Sequence, residues 1–86
     1  MTTFNQTLGT MLRTIRLSRG LTQDDVAARL GMSRSNYSYY EAGKTMPDIY
    51  ALRQISELFD VPPADFFYPE RFADPESALH RVHKPV

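Results

Sequence analysis

LTQDDVAARLGMSRSNYSYYEAGKTMPD, residues 21–48, holds two short helical patterns separated only by Gly31, Met32 and Ser33. Thr22 precedes the first pattern with Asp25 three positions on, the spacing at which a hydroxyl and a carboxylate satisfy the free backbone N–H groups of a helix start. Val26, Ala27 and Leu30 form the inner face of that helix, and Gly31 ends it in the left-handed conformation that glycine adopts without steric cost. Ser33 caps the next helix two residues later. Two helices joined this tightly cross steeply, so the residue at their closest approach must be small, and Ala27 stands there.

The helix after Ser33 has two unlike sides. At about 100° per residue, Tyr37, Tyr40 and Glu41 cluster on one, Ser35, Ser38, Tyr39 and Ala42 on the other, and Arg34 and Asn36 lie on the flanks. The second side is polar and short-chained apart from one tyrosine, with an arginine at its N-terminal end. Such a face suits the major groove of duplex DNA, where the leading residues of a helix meet base edges. The segment therefore reads as a helix-turn-helix.

The flanking sequence supplies the scaffold. Thr3-x-x-Gln6 is a capping box, followed by Phe4, Leu8, Met11, Leu12 and Ile15 on one helical stripe that Gly20 stops. Pro47 and Asp48 open a fourth helix, in which Ile49, Leu52, Ile55 and Phe59 repeat at helical spacing. Pro62-Pro63 start a last short helix expected to bury Phe66 and Phe67. No segment alternates as a strand. The chain is expected to be all-α, with a five-helix domain over residues 1–68. A C-terminal tail over 69–86 follows, in which Asp74-Pro75 is placed to begin one more short amphipathic helix carrying Ala78, Leu79 and Val82.

Composition narrows the function. Eighty-six residues make one domain, too small for a second sensing or catalytic unit. There is no cysteine, hence no disulfide framework or thiolate metal site, and no apolar run near the length of a membrane span, so a cytoplasmic, membrane-free protein is expected. The ten Lys and Arg balance ten Asp and Glu. A DNA-binding face must then arise from where the charges sit rather than from their sum.

Gln23, Val26, Ala27, Leu30, Gly31, Tyr37, Tyr40, Glu41, Gly43, Lys44 and Pro47-Asp48 together resemble the phage-repressor and Cro-type helix-turn-helix family, also called the XRE family, over about Leu8 to Phe67. The resemblance implies a five-helix lambda-repressor-like bundle that dimerises on an inverted-repeat operator. It implies base reading by Arg34, Ser35, Ser38 and Tyr39, and backbone contacts by Gln23, Ser33, Asn36 and Lys44. It further implies that Arg16 pairs with Glu41 to fix the angle of the third helix. Three positions depart from the family's commonest pattern. Tyr37 replaces an aliphatic residue and is expected in the core with its hydroxyl at the edge, Tyr39 replaces a longer polar side chain, and Asp60 replaces a helix-ending glycine.

Other groups read as structure. Asp24, Asp25 and Glu57 are helix-start or solvated charges rather than a catalytic carboxylate pair. His80-x-x-His83 has metal-compatible spacing but no third ligand placed beside it. The aromatics do not alternate with basic residues as a base-stacking platform would. No nucleophile–base constellation or glycine-rich phosphate loop points to an enzyme, and neither cofactor nor metal is expected. The expected function is a sequence-specific transcriptional regulator, a homodimer on double-stranded DNA, with Phe66, Phe67 and Tyr68 as the candidate dimer surface. The tail is the candidate contact for RNA polymerase or a partner protein. The alternative is an antitoxin-type module that neutralises a protein and autoregulates its operon, using the stripe Ala78, Leu79 and Val82 for its partner.

Overall fold

The computed structural model describes residues 2–73. In order they form α1 (Phe4–Ser18), α2 (Gln23–Leu30), α3 (Arg34–Ala42), α4 (Ile49–Phe59), a 3₁₀ turn (Pro63–Phe67) and α5 (Glu70–Ala73). The described residues contain no strand, and no described helix is long and apolar enough to cross a membrane.

Each helix begins where its side chains can close the free N–H groups of the first turn. Reciprocal capping boxes form at Thr3 with Gln6 and at Thr22 with Asp25, while Ser33 accepts from the Asn36 amide and Asp48 from the Ala51 amide. The ends are equally local: Gly31, Gly43 and Asp60 close α2, α3 and α4 in the left-handed region, at φ 69°, 76° and 57°. Aspartate tolerates that region better than most residues, so Asp60 serves where glycine is usual.

The core gathers Leu8, Met11, Leu12 and Ile15 of α1 with Val26 and Ala27 of α2, Tyr37 of α3, Ile55 and Phe59 of α4, and Val61 and Phe66 beyond it. Burying such side chains is worth about 1.5–3 kcal/mol each against chain entropy, so this one cluster carries the fold. Two contacts across the bundle reinforce it. The Arg19 guanidinium donates to the Phe59 carbonyl through Nε at 3.1 Å and Nη2 at 2.8 Å, satisfying a carbonyl at the end of α4. Gly9 lets α1 lie against the backbone of α3, since a Cβ there would sit 2.7 Å from both the Glu41 carbonyl carbon and the Tyr40 oxygen.

Four expectations need correction. Phe4 does not join the buried stripe of α1 and is 44% exposed, and Ile49 does not join the stripe of α4 and is 85% exposed. At about 100° per residue it lies roughly 120° from Ile55, whereas Leu52 and Phe59 lie within about 60° of it. The last segment before α5 is a 3₁₀ turn in which Phe66 is 1% exposed and Phe67 61%. Successive residues there differ by about 120°, so only one of the pair faces the core. The Tyr37 hydroxyl is not at the edge but buried without a hydrogen bond. Beyond these corrections, a short helix that the sequence did not signal forms at Glu70. The expected tail helix, with Ala78, Leu79, Val82, His80 and His83, lies outside the described residues.

Candidate nucleic-acid interface

The recognition geometry rests on a buried hub. Arg16 Nε donates to Glu41 Oε2 at 2.6 Å and Nη2 to Oε1 at 3.0 Å, while Nη1 reaches the Leu21 carbonyl at 2.9 Å. The two side chains are 9% and 4% exposed. Gln23 Nε2 adds a third bond, to Glu41 Oε1 at 3.0 Å, so one carboxylate ties α1, α2 and α3 together. Burial alone would push the Glu41 carboxyl up, but hydrogen bonds from Arg16 and Gln23 and the Arg16 charge outweigh it and hold the group below the ordinary range. The Tyr37 hydroxyl stands close enough to the pair to feel it but makes no hydrogen bond of good geometry. Burial first, and the Glu41 carboxylate second, push it far up. A neutral phenol against the ion pair keeps water out, and its ring packs edge-on to Tyr40 with centroids 6.1 Å apart.

The turn between α2 and α3 follows from the same local chemistry. Gly31 at φ 69° lets the Met32 amide reach back to the Ala27 carbonyl at 3.0 Å, and Ser33 then starts α3. Ala27, 3% exposed, occupies the inner side of α2.

Outside the hub, the other side of α3 faces solvent. Arg34, Ser35, Asn36 and Tyr39 are exposed and Ser38 is half-buried. The Ser38 hydroxyl donates to the Ser35 carbonyl at 2.8 Å, which leaves its oxygen as an acceptor. Lys44 Nζ lies 5.7 Å from the centre of the Tyr39 ring, a cation–π contact that covers one face of the tyrosine. Arg34 Nε stands 3.8 Å from Asp24 Oδ1, with both side chains largely in water. Gln23, Ser38, Tyr39 and Lys44 line one open depression together with Arg13, and Gln23 and Arg34 line the neighbouring one. Six of the eight expected DNA-contacting residues, Gln23, Arg34, Ser38, Tyr39 and Lys44 with Ser33 at the cap of α3, thus surround the start and outer side of one helix. Ser35 and Asn36 are exposed on its first turn.

Of the dimer candidates, Phe67 and Tyr68 are exposed, and Arg71 stacks over the Tyr68 ring at 4.6 Å. Phe66 is not a surface residue: its ring completes the core from the 3₁₀ turn. Sequence reasoning missed Arg13, the Gln23–Glu41 bond and the Asp24–Arg34 pair. The charge alternation of Asp24 and Arg34 across the turn was a usable signal for the last, but nothing local marked the other two.

Two helices joined by the short turn at residues 31–33, the second short, polar and outward-facing, define a DNA-binding helix-turn-helix. The chain belongs to the XRE-type helix-turn-helix family of transcriptional regulators: the helix-turn-helix family HTH_3 matches residues 12–66. It is a DNA-binding regulator rather than an enzyme. It is 33% identical over 79 residues to the SPbeta prophage-derived HTH-type transcriptional regulator YonR of Bacillus subtilis, covering 83% of this chain and 73% of YonR. With the cryptic phage CTXphi transcriptional repressor RstR of Vibrio cholerae it shares 30% over 54 residues, 63% of this chain but less than half of RstR, 49%. Among solved structures, the restriction-modification controller protein C.AhdI of Aeromonas hydrophila superposes with a TM-score of 0.67 at 26% identity, covering 72% of this chain and 94% of that one.

Proposed function

We propose that the protein is a sequence-specific regulator that binds an inverted-repeat operator in double-stranded DNA as a homodimer, each copy placing α3 in the major groove. The observation that carries this is the exposed side of α3, where Arg34, Ser35, Ser38 and Tyr39 face outward from a helix whose inner side is fixed by the Arg16–Glu41 pair. Arg34 offers a planar fork suited to guanine O6 and N7, and Ser38 an acceptor suited to an exocyclic amine. Gln23, Ser33, Asn36 and Lys44 surround that face as phosphate contacts, which set register without carrying sequence information. Phe67 and Tyr68, exposed side by side on the 3₁₀ turn and its end, are the dimer surface, with Phe66 supporting them from the core. Transcriptional regulation, as the name of YonR states for that protein, is the mode of action this supports.

Selection of binding sites from random duplex DNA, followed by sedimentation of the complex, tests the reading. The expected product is a two-fold symmetric site with half-sites about 34 Å apart, one turn of the duplex, carrying two chains. Recovery of no preferred sequence, or of one chain on an asymmetric site, would overturn it.

A further inference from the structure

Of the eight Lys and Arg among the described residues, four have an ionic or carbonyl partner. Arg16 is held by Glu41, Arg34 faces Asp24, Arg53 faces Glu57 at 3.6 Å, and Arg19 is spent on the Phe59 carbonyl. Arg13, Arg29, Lys44 and Arg71 form no ion pair among the described residues, and of these Arg13 and Lys44 line the same open depression between α1 and the end of α3. The carboxylate that also lines it, Glu41, has both oxygens taken, by Arg16 and by Gln23. Two cations, Arg13 and Lys44, therefore line a depression whose one carboxylate is saturated, in a chain whose net charge is zero.

The end of a helix repels anions through its free carbonyls. Here the Tyr39 carbonyl accepts from the Lys44 amide at 2.9 Å and the Tyr40 carbonyl from the Gly43 amide at 3.2 Å, which mutes that field. Ser38 and Tyr39 form the wall of the depression nearest the outer side of α3, so an anion seated there would run beside the face that enters the groove.

We propose that Arg13 is a DNA-backbone contact, which with Lys44 seats one phosphodiester of duplex DNA in the depression between α1 and the end of α3. The inference rests on the proposed function and extends it to α1, which would then grip DNA as well as support the core. A phosphate contact of this kind adds the same increment for every sequence and weakens with salt, because it acts by releasing counterions.

The test is a titration of wild type, Arg13→Gln, Arg13→Lys and Arg53→Gln with the selected site and with a scrambled duplex at several salt concentrations. Arg13→Gln is expected to bind both duplexes about tenfold more weakly and to lower the salt slope by about one, with Arg13→Lys keeping the wild-type slope and Arg53→Gln unchanged. Wild-type affinity and slope in Arg13→Gln, a loss confined to the selected site, the same loss in Arg53→Gln, or a slope lost in Arg13→Lys as well would each overturn the proposal. Failure of the wild type to bind any duplex is a different result, and it removes the proposed function itself.

Discussion

Arg16 and Arg34 each reach from one helix to a carboxylate on another, and they mark the two sides of α3. The first pair closes at 2.6 Å with side chains 9% and 4% exposed; the second stands at 3.8 Å with side chains 64% and 76% exposed. Desolvation separates them. Breaking the inner pair strands a charge in the core, whereas the outer pair already sits in water, where such contacts are worth about 0–1 kcal/mol. One arginine holds the recognition helix in place, and the other is free to leave its carboxylate for a different acceptor.

Glu41→Ala is the most severe way to break the contrast. It leaves Arg16 buried and unpaired, at a cost of about 3–5 kcal/mol. For a domain of this size that is a fall in melting temperature of more than about 10 °C, read by a thermal melt. A melt unmoved by the change would show that the inner pair does not hold the fold. The same pair sets an acid limit. Because the Glu41 carboxyl is held below its ordinary value of 4.5, its contribution is complete above that pH and is lost as the pH falls through the lower folded value. Glu41→Gln should flatten the decline in stability in that acid window, and a decline as steep as the wild type's would assign it to other carboxylates.

Gly9→Ala attacks the same side without touching a charge. The new methyl meets the carbonyls of Tyr40 and Glu41, backbone that cannot swing aside, so α1 and α3 must separate at a cost of about 1–3 kcal/mol in a denaturant titration. Unchanged stability would mean that the close approach has slack.

On the outer side the effects belong to binding. Arg34→Ala should leave the melt within about 0.5 kcal/mol of wild type. It should also relax discrimination at one position in each half-site by roughly 1–3 kcal/mol in competition titrations. A uniform loss across sequences would instead make Arg34 a phosphate contact and pass base reading to Ser35, Ser38 and Tyr39. The smallest effect is expected from Asp24→Asn, which frees Arg34 and removes a negative charge beside it. Binding should tighten by less than about 1 kcal/mol, with any loss of helix stability of similar size. Weaker binding would show that Asp24 orients Arg34 rather than restraining it.

What the sequence made legible was local. Thr3, Thr22, Ser33 and Asp48 cap because a side-chain oxygen three residues from an amide needs no help from the rest of the fold, and Gly31 turns for a reason internal to its own backbone. The buried stripe of α1 from Leu8 to Ile15 and the two sides of α3 followed from periodicity, whereas Phe4 at the helix start is exposed. The depression that gathers Arg13 with Lys44, the Gln23 bond to Glu41 and the closure of α4 by Arg19 depend on how helices cross, and no spacing along the chain encodes that. Phe66 and Phe67 fall between the cases. Both are equally apolar, and only the tighter turn of the 3₁₀ segment decides which is buried.

The packing of α5 against α1 joins the last described helix to the first. Ribosomes add about 5–20 residues per second, so the stretch from Ser18 to Glu70 takes roughly 3–10 s to appear. Throughout that interval Leu8, Met11, Leu12 and Ile15 are synthesised but lack part of their cover, including Phe66 and Phe72. The order of synthesis therefore gives the nascent chain a sticky face for seconds, and the late arrival of one short helical turn ends its exposure to chaperones and proteases.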